Sequence, residues 1–244
     1  MRALAALAVI AATTTAACSR TAWFRQYEYE EDVYLSLDGS ATVNVNSSIP
    51  ALDALRGASF DPGPAAAIDR AAVRTYFSSA RARVGWVTTS RRSGRRFVHV
   101  RLDVDDIRRL SEAAPFAWSS YRFGQEGNLY VYRQTVGRSA RKPVSNAGWT
   151  GAELVAFRLH LPSKIADHNM PGSVKRGNIL VWEQRLDDRL RGVPLFMEAR
   201  MQTQSILYRT LWLFVATGAS VAVTFVLLIW WVMRRGAQEE RQRA

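Results

Sequence analysis

Between residues 27 and 45 apolar and polar positions alternate. Tyr27, Tyr29, Val33, Leu35 and Leu37 share one parity, and after Asp38-Gly39 the alternation resumes with Ala41, Val43 and Val45. A period of two interrupted by Asp-Gly predicts a β-hairpin. Residues 50–60 are short and mixed and predict a helical turn, followed by a loop at Asp61-Pro62-Gly63-Pro64. Over residues 65–84 the period lengthens: Ile68, Ala72, Val73, Tyr76, Phe77 and Ala80 recur at helical spacing behind a proline suited to a first turn. This stretch predicts the main amphipathic helix. Two strands follow, 85–89 and 96–104, around the turn Arg91-Arg92-Ser93-Gly94, and 105–113 reads as a shorter second helix. Residues 118–123 and 129–136 form another hairpin pattern across 124–128. The segment 137–151, rich in Arg, Ser and Gly, predicts a long loop rather than a domain boundary. Strand patterns at 154–161, 178–186 and 194–201 complete the series. The expected fold is α+β, with antiparallel sheet and hairpins packed on one long and one short helix.

Residues 211–233 break this pattern. They carry no charge over 23 positions, about 34 Å of helix, which is enough to cross a bilayer. Tyr208 and Trp212 flank one end and Trp230 and Trp231 the other, at headgroup depth. Arg234, Arg235, Arg241 and Arg243 follow the span and predict a cytoplasmic C-terminus, which places the preceding domain outside. At the other end, Arg2, an apolar run over residues 3–12 and small residues up to Ala17 form an export-signal pattern. The layout is therefore a signal peptide (1–17), a lipid-anchored linker (18–26), an extracytoplasmic domain (27–205), a transmembrane helix (208–233) and a basic tail (234–244).

Ala16 and Ala17 before Cys18 resemble the lipobox of bacterial lipoproteins, although Thr15 stands where that motif prefers Leu. Lipid attachment at Cys18 and ordinary cleavage after Ala17 are both open. Cys18 is the only cysteine, so no disulfide stabilises the domain. A further resemblance rests on Phe157-Arg158-Leu159-His160-Leu161-Pro162-Ser163-Lys164-Ile165, Asn169, the strand from Asn178 through Trp182, and Leu186. With the Cys18 start and the terminal span, this segment resembles the mycobacterial LppM-type membrane lipoproteins, with Ser163 where that family has Gly. The resemblance implies an α+β lipoprotein domain that binds an envelope lipid or glycolipid.

The net charge is +12, carried by arginine far more than by the three lysines Lys142, Lys164 and Lys175. Nucleic acid is not expected, because the domain faces away from the cytoplasm and no nucleic-acid-binding motif is present. Candidate anion-binding residues are Arg91, Arg92, Arg95 and Arg96 in one loop and Arg138, Arg141 and Lys142 in another, since clustered guanidinium groups pair bidentately with phosphate or carboxylate. Gly218 and Ala222, spaced four apart in the span, allow close approach of a second helix, from another membrane protein or another copy.

Catalytic chemistry lacks its parts. His99 and His160 fall on strand patterns, and His168 lies in an expected loop near Pro171-Gly172. Asp103, Asp105 and Asp106 suit helix capping better than a metal site. Glu28, Glu30, Glu31 and Asp32 read as a solvated face or as charge protecting a sheet edge. There is no Walker loop, GxSxG, HExxH or CxxC, and no metal or cofactor is expected. The expected function is non-catalytic binding of membrane lipid, glycan or protein. A structural subunit of a membrane complex and an envelope hydrolase or transferase are the rivals.

Overall fold

The computed structural model describes residues 25–63, 65–144, 147–174 and 177–243. The expected signal peptide and Cys18 lie outside them. The elements are β1 (Tyr27–Leu35), β2 (Ala41–Ser48), α1 (Ile49–Arg56), α2 (Arg70–Phe77), β3 (Ala82–Arg92) and β4 (Arg95–Val104). Two 3₁₀ turns (Ile107–Glu112 and Ala114–Phe116) lead into β5 (Ser119–Glu126), β6 (Leu129–Val136), β7 (Leu154–His160), β8 (Ser163–His168) and β9 (Ile179–Arg185). The chain ends with α3 (Leu186–Arg191), β10 (Leu195–Ser205) and α4 (Ile206–Arg243).

The strands form a six-stranded sheet, β3-β4-β2-β1-β7-β9, and a four-stranded sheet, β5-β6-β10-β8. Every pairing is antiparallel except β1 with β7, which is parallel. The fold is α+β, and all three hairpins read from the sequence form: β1-β2, β3-β4 and β5-β6.

The main helix is a correction. Only Arg70–Phe77 is helical; the Asp69 carboxylate accepts from the amides of Ala71 and Ala72, and Ser78 is already extended. Ala82 then pairs with Val104, so Ile68 and Val84 reach the core from a loop and a strand rather than from one helix face. Spacing alone cannot distinguish these arrangements, because each puts apolar groups on the same core. The shorter helix is a 3₁₀ turn, capped by the Asp106 side chain on the amide of Arg108. The predicted turn near Pro50 is a full helix, closed by Gly57 in the left-handed region at φ 71°. Strand β8 was not expected; its partner is β10.

The sheets face each other across one core. Tyr29, Val33, Val43, Val45, Val98, Val100 and Leu102 line the larger sheet, and Tyr121, Tyr132, Val136, Met197 and Ala199 line the smaller. Ile49, Leu52 and Leu55 of α1 and Val73 and Phe77 of α2 fill the gap. Each fully buried Leu, Val, Ile or Phe contributes on the order of 1.5–3 kcal/mol, and this core does so without a disulfide.

The registers define two poles. Ser205 pairs with Ser163, Asn178 donates to the Ser163 carbonyl, and Leu161 bonds to Asn178, so β10 finishes where β7 ends and β9 begins. At the opposite pole Tyr27 pairs with Leu154 and Leu154 with Arg185, and α3 carries the chain from there to the start of β10. Helix α4 follows β10 without a loop. Its segment Thr210–Val232, mean hydropathy 2.2, packs on nothing in the domain and is long and apolar enough to cross a membrane. Inside it, the hydroxyls of Thr217, Ser220 and Thr224 donate to the carbonyls four residues earlier. Their donors therefore need no partner from outside the helix.

Candidate functional site

The acidic run on β1 is not a sheet edge, and only half of it lies on an open face: β1 is an inner strand, Glu30 and Asp32 are on its outer side, and Glu28 and Glu31 are completely buried. Glu31 shares the core face with Tyr29 and Val33. It accepts from Tyr29 Oη (2.9 Å), Tyr121 Oη (3.1 Å) and Gln134 Nε2 (3.0 Å), and Arg56 Nη2 lies at 2.5 Å. Arg56 also donates to the Pro115 carbonyl and lies 3.9 Å over the Trp118 ring. Burial pushes the Glu31 carboxyl up to about 7, against the hydrogen bonds from Gln134 and Tyr121. The same burial, aided by the charge of Arg189, lowers the Arg56 guanidinium to about 9. This network joins the two sheets and is sealed from solvent.

The other face of the larger sheet is open. Glu30, Asp32, Arg158 and Tyr27 lie on it, with Arg158 at 2.7 Å from Glu30 and 3.1 Å from Asp32. At its β9 side is a cleft of about 440 Å³. Met170 and Pro171 line it from the loop after β8, and Tyr27, Arg158, Ile179, Val181 and Glu183 line it from the open face of the sheet, with Arg25 beside Glu183. Arg25 and Tyr27 both donate to Glu183. Asn169 fixes the loop that carries Met170 and Pro171: its Oδ1 accepts from Trp182 Nε1 (3.1 Å) and the Glu198 amide (2.8 Å), and its Nδ2 donates to the Phe196 carbonyl (3.0 Å). That side of the cleft is thus formed before any ligand arrives, and the volume falls within the range of small-molecule sites. Sequence reasoning did not assign this cleft, because its walls come from four separate segments. Its one visible signal was Asn169 with Trp182, now seen bonded to each other.

The two basic clusters lie at the same pole. Arg92 donates to the Tyr27 carbonyl, and Arg141 to the Arg191 carbonyl beside Gly192. Three of the seven residues are turned inward. Arg95 sits 3.0 Å from buried Glu28 and bonds to the carbonyls of Ala147 and Gly148. Arg96 is buried and donates to the carbonyls of Asp61 and Ala66, while Lys142 holds the Ala58 carbonyl and Ser59 Oγ. Together with the Ala140 amide on the Leu55 carbonyl and Arg189 on the Gly137 carbonyl, these contacts fasten the described residues of 137–151 across the pole. The segment is a loop, as its composition predicts, but a pinned one. Arg91, Arg92, Arg138 and Arg141 remain on the exposed side.

The histidines do not converge. His99 bridges Ser90 (2.8 Å) and Asn46 (2.9 Å) on the open face, and His160 stacks on Tyr34 at 3.9 Å. Burial lowers the pKa of both. His168 belongs to β8 rather than to a loop, opposite Ala199. Among the described residues no group of three or more His, Cys, Asp or Glu is placed to hold a metal ion.

No family model and no curated protein matches the chain. Among solved structures, the folded domain of the Mycobacterium tuberculosis LppM protein, determined by NMR, is similar with a TM-score of 0.39 and 14% identity, over 75% of this chain and 94% of that one. With a TM-score this low, the fold rests on the sheets and registers given above.

Proposed function

We propose that this chain is a non-catalytic, membrane-anchored binding protein of the bacterial envelope, with its domain outside the cytoplasm and α4 crossing the membrane. The observation that carries the reading is the cleft, in which the apolar groups of Met170, Pro171, Ile179 and Val181 lie beside the hydrogen-bonding groups of Arg25, Arg158 and Glu183. Such a mixture fits an amphipathic ligand, a lipid or glycolipid fragment whose apolar part rests on the first set while its hydroxyls or headgroup bond to the second. Anchoring the domain beside a bilayer supplies that ligand at high local concentration. The Ala16-Ala17-Cys18 motif supports a second, acyl anchor at Cys18.

The test is purification of the full chain from membranes in mild detergent, with mass spectrometry of what accompanies it, alongside Val181→Trp, which fills the cleft. A lipid or glycolipid retained by the wild type and absent from Val181→Trp is expected. Equal retention by both would remove the cleft as the site. Palmitate labelling of the wild type, lost in Cys18→Ala, checks the anchor separately.

A further inference from the structure

Both poles carry arginine–carboxylate pairs: Arg81 and Arg109 with Glu112 (both 2.7 Å), Arg83 with Asp105 (3.4 Å) and Arg108 with Asp106 (2.8 Å) where α4 begins, and Arg185 with Asp187 (3.7 Å) and Arg191 with Asp188 at the other end. At the far pole, Arg92 and Arg141 bond to backbone carbonyls, which do not cancel a positive charge, and among the described residues neither they nor Arg138 has a carboxylate within 4.0 Å.

These arginines are also held in place. The Arg92 guanidinium lies 4.4 Å over the Phe97 ring, and its neighbour Arg91 is on the same exposed hairpin end. Arg138 and Arg141 both close on Gly192, where a Cβ would meet Arg141 Nη2 at 3.1 Å and Arg138 Cγ at 3.3 Å. Gly192 has φ 86°, so the position suits glycine on backbone grounds as well. The pinned segment 137–151 links the two groups: it starts at Arg189 beside Gly192 and reaches Arg95 beside the β3-β4 turn. Beneath it Arg189, fully buried, donates to the oxygens of Gly137, Val193 and Gln184, adding a further positive charge with no carboxylate partner among the described residues.

Strand β10, eleven residues long, separates this pole from the start of α4 by roughly 36 Å at about 3.3 Å per residue. That is several Debye lengths at physiological salt, each about 8 Å, so the far pole is electrostatically independent of the start of α4. We infer that the far pole is a docking surface for a polyanion, a polymer bearing phosphate groups. Planar guanidiniums on a fastened scaffold pair bidentately with such groups while losing little entropy on binding. This surface is independent of the cleft and stands or falls separately from it.

The experiment uses the full chain in nanodiscs of neutral phosphatidylcholine, with fluorescent inorganic polyphosphate as the probe. The wild type is expected to bind with an affinity that falls steeply as salt rises. The variant Arg91→Gln/Arg92→Gln/Arg138→Gln/Arg141→Gln should bind at least ten-fold more weakly while keeping the wild-type melting temperature. Changing Arg81, Arg83, Arg108 and Arg109 to Gln at the other pole should alter affinity less than two-fold. Equal loss in both variants, or none in the first, would overturn the proposal. So would capture of separate phosphatidylglycerol vesicles without polyphosphate binding, which would make the partner a second membrane. Abolition of polyphosphate binding by phosphatidylglycerol placed in the same nanodisc would show that the pole reaches its own bilayer.

Discussion

Glu31 on β1 and Arg56 at the end of α1 meet at 2.5 Å with side chains 0% and 1% exposed, the most deeply buried ion pair in the described domain. Removing one partner leaves the other charged in the core, which typically costs about 3–5 kcal/mol. Arg56→Met should therefore destabilise the domain by about that much in urea denaturation. Glu31→Gln combined with Arg56→Met should recover part of the loss, because Gln can still meet Tyr121 and Gln134 without a charge. A double variant no more stable than Arg56→Met alone would show that the pair is not the source of the cost.

The pH dependence of stability should carry the signature of Glu31. Its carboxyl is raised from an ordinary 4.5 to about 7, chiefly by burial, so the folded domain holds that proton more tightly than the unfolded chain. The contribution is present in full below about 4.5 and is lost as pH rises through about 7. Over that window the wild type should lose stability relative to Glu31→Gln, by up to roughly 3 kcal/mol. Comparing the two proteins removes the opposing effect of surface carboxylates such as Glu112 and Glu126, whose arginine partners hold them low. A difference that stays flat from pH 4.5 to 7 would mean that Arg56 keeps the carboxylate charged throughout.

Arginines of the two basic clusters should separate by location. Arg95→Gln strands Glu28, fully buried, and frees the segment at Ala147 and Gly148, so a loss of about 2–4 kcal/mol is expected. Arg138→Gln, exposed and without an ion pair among the described residues, should stay within about 0.5 kcal/mol of the wild type. Thermal melts of the two proteins, run side by side, check the contrast.

Within α4, Gly218 has nothing within 4 Å of where a Cβ would lie, and Ala222 follows one turn later. Close helix approach along this row is expected to give weak self-association that Gly218→Leu abolishes in a bilayer reporter assay. Identical signals from the two proteins would leave the small residues without a packing role.

Much of the sheet could be read in advance because strands with one face in the core leave a period-two record: residues 129–136 and the β1-β2 hairpin fall where the alternation places them. The failures have physical causes. Glu31 sits at a core parity, between Tyr29 and Val33, yet its charge argued for solvent; only the donors from Arg56, Tyr121 and Gln134, all distant in sequence, make its burial tolerable. β8 offers one large apolar residue, Ile165, at its centre and gains its conformation from β10. Arg95 and Arg138 are alike as letters, and what separates them is whether a buried carboxylate lies opposite, which no local pattern records. The cleft was hidden for the same reason, since Tyr27, Arg158, Met170 and Val181 meet only after β1, β7 and β9 assemble.

The arrangement of β1 and β10 also has a mechanical meaning. The described domain is entered through Tyr27 at one pole and left through Ser205 at the other, and both strands lie inside their sheets rather than at the edges. A tension applied between the two ends would therefore run along the strands. Ladder hydrogen bonds stand across the strand direction, so such a load shears many of them together instead of unzipping them singly. Pulled from these attachment points, the domain is placed to behave as a stiff strut.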